Sequence, residues 1–298
     1  MVSNVPDVAS LLPRQTDRRG RSADITLQLP APTQSLQQCP DGRCRSASLP
    51  VRPILRWSPA LEVRYGHPAL RRWVIGHHLA FGAWRLLIDA LAGPAATRSA
   101  VGEQVATLFP VYTAAMVYSG SCTLEEYRDV VRPSMAAHDP AFSGRWAREY
   151  EYVNHLIHER PTEVRAHRDA GTAIKLNHVA HRLVGRRLVP DAPSLFAAAA
   201  AQRATTDAQR DSFDAYFLVR RAPVCRSAFV SAQLARLVLA VAELRHLELD
   251  PVLESYVPGG VSTVFTDHAR HLAQLRCDSA LPSDALHPYS PVDQEVPA

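Results

Sequence analysis

The sequence predicts an all-α protein, a helical bundle around one core, and three observations carry that reading. From Leu70 onward apolar residues recur at helical spacing, with no strand-length alternation of Val, Ile and Thr among them. Prolines such as Pro94, Pro140, Pro161 and Pro251 punctuate the periodic stretches. The chain has 298 residues, 47% hydrophobic and 21% charged, enough to enclose a cofactor-sized cavity in one large domain.

Residues 1–56 are rich in Pro, Ser, Gln and Arg without a sustained period, and read as a disordered or loosely docked leader. Residues 57–280 form the expected helical domain, and 281–298 a flexible tail. Helices are expected at about 69–92, 98–119, 123–137, 140–160, 162–188, 205–221, 224–248 and 261–276. Several carry start signals: "TLEEY" from Thr123 places two glutamates in a first turn, Thr162 precedes a helical run, and "TTDAQRD" from Thr205 opens another. Gly93-Pro94 ends the first helix, and Gly259-Gly260 breaks the chain before the last.

The formal charge of +4 comes from the leader, which has eight arginines against four aspartates, so the rest of the chain is neutral. A basic stripe on the folded part is therefore missing, and nucleic acid is not an expected partner. No run approaches the eighteen or so apolar residues of a membrane span. The first twenty residues hold no signal-type apolar core. Five cysteines (39, 44, 122, 225 and 277) form an odd, scattered set that suits free thiols in a reducing cytoplasm.

Chemistry concentrates in "WVIGHHLAFGAW", residues 73–84. Trp73, His77, Ala80, Trp84, Leu87 and Leu91 share one helical stripe, so His77 faces a core. His78 lies about 100° round, on a face with Phe81 and Gly82. A mid-helix glycine costs about 1 kcal/mol against alanine, so Gly82 marks a place where something flat could approach His78. The ordinary alternative is a hydrogen-bonded core histidine.

This stretch resembles the distal-histidine helix of tryptophan 2,3-dioxygenase and its relatives, with His78 and Trp84 at the family's spacing. Gly82 stands where that family has a glutamate. A second stretch, Phe142-Ser143-Gly144-Arg145-Trp146-Ala147-Arg148-Glu149-Tyr150-Glu151, is similar to the family's substrate helix, with Phe142, Arg148 and Glu151 aligned. The resemblance implies that Arg148 grips the carboxylate of an amino-acid substrate, a task suited to a planar guanidinium. Without the resemblance, Arg148 pairs with Glu151 or Glu149 on a solvated face.

The resemblance also implies heme b and an axial histidine. His246, shortly before Gly259-Gly260 and the last helix, is one candidate. His178 and His181, one turn apart and followed by Arg182, Arg186 and Arg187, are the alternatives. The replaced glutamate and the His-His helix look more like the bacterial heme-dependent L-tyrosine 3-hydroxylases of pyrrolobenzodiazepine and lincosamide pathways. That likeness implies hydroxylation of L-tyrosine to 3,4-dihydroxyphenylalanine with peroxide or dioxygen. His78 would handle a proton, while His77, Phe81 and Trp84 hold the substrate and Gly82, Gly259 and Gly260 border the cofactor. A homodimer is the expected assembly. Other readings are an indole-opening dioxygenase, a heme sensor or carrier, and a cofactor-free all-α interaction protein.

Overall fold

A computed structural model describes residues 25–38, 66–92, 98–190 and 205–278. They are predominantly helical, as expected. Helix α1 spans Pro68–Ala92 and α2 Arg98–Ser119, which continues through Pro110. Next come α3 (Leu124–Glu126), a π turn (Tyr127–Val131) and α4 (Arg132–Ala136). A 3-10 turn, Gly144–Trp146, leads into α5 (Arg148–Glu159), α6 (Pro161–Ala166) and α7 (Arg168–Leu188). The remaining helices are α8 (Asp207–Tyr216), α9 (Arg226–Leu244), α10 (Pro251–Glu254) and α11 (Val261–Asp278).

The start signals act as the sequence suggests. Thr123 and Thr206 each accept from a backbone N–H three residues on, and Glu126 and Gln209 return the bond, giving two complete capping boxes. Four expected helices are shorter or broken, among them the one expected at 224–248, which spans Arg226–Leu244. The one expected at 162–188 parts at His167, whose backbone is extended. Its side chain lies so close to Gly102 of α2 that a Cβ on that glycine would sit 2.3 Å from the His167 Cβ. The helix expected at 140–160 starts only at Arg148, because Ser143 caps the short 3-10 turn and Ala147 is extended. The one expected at 205–221 stops at Tyr216, and Leu218 then adopts the left-handed φ of 53°.

Leu218 turns the chain into a strand, β2 (Val219–Arg221), paired in parallel with β1 (Leu27–Leu29). The leader is thus docked firmly along 25–38, against expectation. Ile25, Leu27, Leu29 and Leu36 are buried. Three arginines hold the segment's carbonyls: Arg236 bonds Ile25 O at 2.6 Å, Arg221 bonds Pro30 O, and Arg85 bonds Ala31 O and Pro32 O. The other leader residues and the tail lie outside the described residues, as do Gly93 and Pro94.

Around α1 the packing is helix on helix. Helix α1 lies along α2, α5 and α9, while α2 also meets α7 and α11. Helix α9 is long and apolar enough to cross a membrane, contrary to the expectation that no run comes near that length, but 67% of that window is buried inside the fold. Cys122 and Cys225 are free thiols.

Candidate active site

A cavity of about 170 Å³ opens between α1, α2, α5 and α7, closed on one side by the Phe213–Phe217 turn. An engineered cavity of about 150 Å³ takes one benzene ring, so this space matches a single aromatic ring. Helix α1 contributes Trp73, Gly76, His77, Ala80 and Trp84, the stripe read from its periodicity. Helix α2 contributes Tyr112, Met116 and Ser119, again at i, i+4 and i+7. Helix α7 contributes His181 and Gly185, one turn apart.

His77 and His181 therefore share one cavity. The His77 Nδ1–H donates to Trp73 O, one turn back in α1, at 2.7 Å, which leaves Nε2 unprotonated. Its ring stacks on Phe217 with centroids 4.2 Å apart. Burial holds His77 neutral, lowering its pKa to about 4, and His181 adds to the effect. Burial and the nearby His178 lower His181 as well.

His78 is placed differently from the expected role. It is fully buried off the cavity, and both ring nitrogens are occupied. Arg236 Nε donates to Nδ1 at 2.9 Å, and the Nε2–H donates to Phe217 O. Burial and the Arg236 cation hold it well below the normal range. His78 ties α1 to α9 and to the Phe217 turn, with no nitrogen left for a substrate proton. Gly82 likewise serves helix packing: a Cβ there would meet the Gln233 side chain at 2.4 Å, and that side chain donates to His78 O. The Gln233 side chain fills the gap that Gly82 leaves. Phe81 is buried behind the cavity, edge-on to Phe217 at 5.6 Å, whereas Trp84 lines it as expected.

Arg148 also departs from its expected role. Its guanidinium faces three carboxylates of the chain itself: Asp211 at 2.5 Å, Asp214 at 3.4 Å and Asp207 at 3.5 Å. It is not part of the cavity wall, and the nearest carboxylates are already on α8. The aligned Glu151 is bound by Arg210, not by Arg148. Neighbouring Glu149 is buried and paired with Arg221, which Asp214 also holds. These pairs fasten the start of α5 to α8 and β2.

Of the axial candidates, His246 is exposed beyond the end of α9 and His178 is exposed on α7. Only His181 reaches the cavity. Gly259 and Gly260, at φ 81° and 85°, turn the chain into α11 away from the cavity wall. The residues missed from sequence are Tyr112, Met116 and Ser119 on α2 and Tyr150 on α5. Their helical spacing on α2 was visible, but nothing in it marked that stripe as facing a void.

Heme needs an imidazole nitrogen free of its proton and flat apolar walls. The donor chemistry here fits: His77 offers such a nitrogen, a second imidazole, His181, lines the same cavity, and the rest of the wall is largely aromatic and aliphatic. The space takes one ring as the walls stand, so a macrocycle enters only with those walls further apart. Among the described residues no cluster of three His, Cys, Asp or Glu side chains is placed to hold a metal ion.

A helical fold around an aromatic, histidine-walled cavity is here that of an oxidoreductase of the peroxygenase class. The chain belongs to the family described as SfmD 3-methyl-L-tyrosine peroxygenase, whose family model matches residues 26–175. The match takes in β1, α1, α2 and α5 and ends six residues before His181. No curated protein matches the chain.

Proposed function

We propose that the protein is a heme-dependent peroxygenase that hydroxylates the ring of a tyrosine-type amino acid. L-Tyrosine would be converted to 3,4-dihydroxyphenylalanine, in a biosynthetic pathway of the pyrrolobenzodiazepine or lincosamide type. The family description names 3-methyl-L-tyrosine, a ring with one further methyl group. The observation that carries this reading is the family match over residues 26–175, with His77 and His181 brought onto one aromatic-walled cavity.

His181 would hold the heme iron through its imidazole, with Gly185 one turn on leaving the helix flat beside it. When bound, the heme supplies the activation of peroxide that the side chains cannot supply. Overall, hydrogen peroxide gives one oxygen to a ring C–H and the other leaves as water. His77 keeps an unprotonated Nε2 at the cavity and would accept a hydrogen bond from a phenol or a peroxide there, orienting it. Phe217 and Trp73, both packed on the His77 ring, would flank the substrate ring, and the apolar wall excludes water.

The test is an absorption spectrum of the protein expressed with heme precursor, before and after adding L-tyrosine. A Soret band that tyrosine shifts supports the reading. His181→Ala is expected to abolish or strongly weaken the band, while His246→Ala and His178→Ala leave it unchanged. A colourless protein under heme supplementation would overturn the reading.

A further inference from the structure

With Arg148 facing three aspartates of α8 and standing outside the cavity wall, an amino-acid ligand in this cavity needs another partner for its carboxylate. Among the described residues the wall holds no arginine or lysine, and its ionisable side chains are the histidines and the tyrosines. Two of those tyrosines stand out. Tyr112 is buried, and Tyr150 is half-buried beside the same indole, with Trp84 centroids 4.9 Å and 5.4 Å from the two rings. Neither hydroxyl has a hydrogen-bond partner among the described residues, yet neither is sealed in protein. Hydroxyls that open onto the cavity without a protein partner are available to bond whatever fills it.

Their position along the cavity is fixed by the helix contacts. A Cβ on Gly76 would meet Ser119 and Ala115, and Trp84 meets Tyr112, so α1 and α2 run antiparallel along the wall. Asn177 bonds Thr113, and Val184 packs at Gly120, so α7 runs parallel to α2. His77 and His181 thus sit near the Ser119 end. The tyrosines sit near Trp84, seven residues or about 10 Å along α1 from His77.

We propose that Tyr112 and Tyr150 are positioning residues that donate their hydroxyl hydrogens to the carboxylate of an amino acid whose ring lies at the histidine end. This rests on the reading of the site as one for a tyrosine-type amino acid. Burial and the neighbouring Tyr150 phenol raise the Tyr112 pKa far above its usual value, so it remains an O–H donor at any working pH. A zwitterion carries no net charge, which suits a wall without ionic side chains better than a lone anion would.

The test is calorimetric titration of the heme-loaded protein with L-tyrosine, 3-(4-hydroxyphenyl)propionate and tyramine, the last of which lacks the carboxylate. The wild type is expected to favour the two carboxylates over tyramine. Tyr112→Phe and Tyr150→Phe should each weaken the carboxylates, together by roughly 10- to 100-fold, as befits hydrogen bonds to a charged group. Tyramine should bind all variants alike, which also shows that the cavity has kept its shape. An unchanged ratio of tyrosine to tyramine in the double variant overturns the proposal. So does collapse of that ratio in Arg148→Gln but not in the tyrosine variants, and so does a wild type with no preference for the carboxylates. If none of the three phenols binds the wild type, the tyrosine-site reading itself fails, and this proposal with it.

Discussion

His77 and His78 are adjacent in sequence and point about 100° apart around α1. One therefore meets a cavity and the other a cluster of arginine, glutamine and backbone carbonyl. The same residue type can orient a ligand in one place and is a structural pin in the other. A third buried histidine, His268 on α11, is set by burial and by His271 to a pKa of about 3. The unfolded chain protonates it below pH 6.5, whereas the fold resists until about pH 3. The unfolded state then binds more protons, so stability is lost as pH falls through that window. The expected slope is about 1.4 kcal/mol per pH unit from this residue. Urea midpoints measured from pH 7 to pH 4 should show it, and His268→Leu should flatten the curve; an equally steep curve in that variant would count against the assignment.

At the scale of elements, glycines on α1 allow close helix packing. A Cβ on Gly76 would come within 2.5 Å of the Ser119 Cβ and 2.8 Å of the Ala115 carbonyl, both parts of α2 that cannot swing away. Gly76→Ala is therefore expected to lower stability by about 1–3 kcal/mol, against the gain of about 1 kcal/mol that helix propensity alone would give. Thermal melts decide between the two signs. Gly144 differs, since a Cβ there would meet nothing within 4 Å and the residue is exposed where it lines the cavity. Gly144→Trp should weaken ligand binding at least tenfold while leaving the melting temperature within a few degrees. Equal ligand affinity in that variant would place the entrance elsewhere.

Across the whole molecule, the leader and the active-site helix are connected through Arg236. That one side chain bonds Ile25 O, Ala232 O and the His78 ring. Residues 25–38 also bury four apolar side chains, each contributing about 1.5–3 kcal/mol. Deleting residues 1–38 removes roughly 6–12 kcal/mol of burial, which is comparable to the whole stability of a small domain. The truncated chain is expected to lose its cooperative melt and its affinity for tyrosine. A melt within a few degrees of the full chain would show that the segment adds little.

Much of the architecture was legible from the chain alone. Helical periodicity marked α1 and α2 almost to the residue, and the Thr123 and Thr206 caps were readable because capping is settled within four residues. So was the stripe of Trp73, His77 and Trp84, because a helix converts spacing directly into direction. The partners of each face lay beyond that reach. Whether Gly82 faced a cofactor or Gln233, and whether Arg148 met a substrate or Asp211, depended on residues far along the chain. The strand pairing of 27–29 with 219–221 is longer in range still: residues 25–29 alternate apolar and polar, but the partner Val219-Arg220-Arg221 shows no such period. Which of His246, His178 and His181 faces the cavity required the same information. Local sequence sets which way a side chain points, but what it meets is decided by the packing of distant segments.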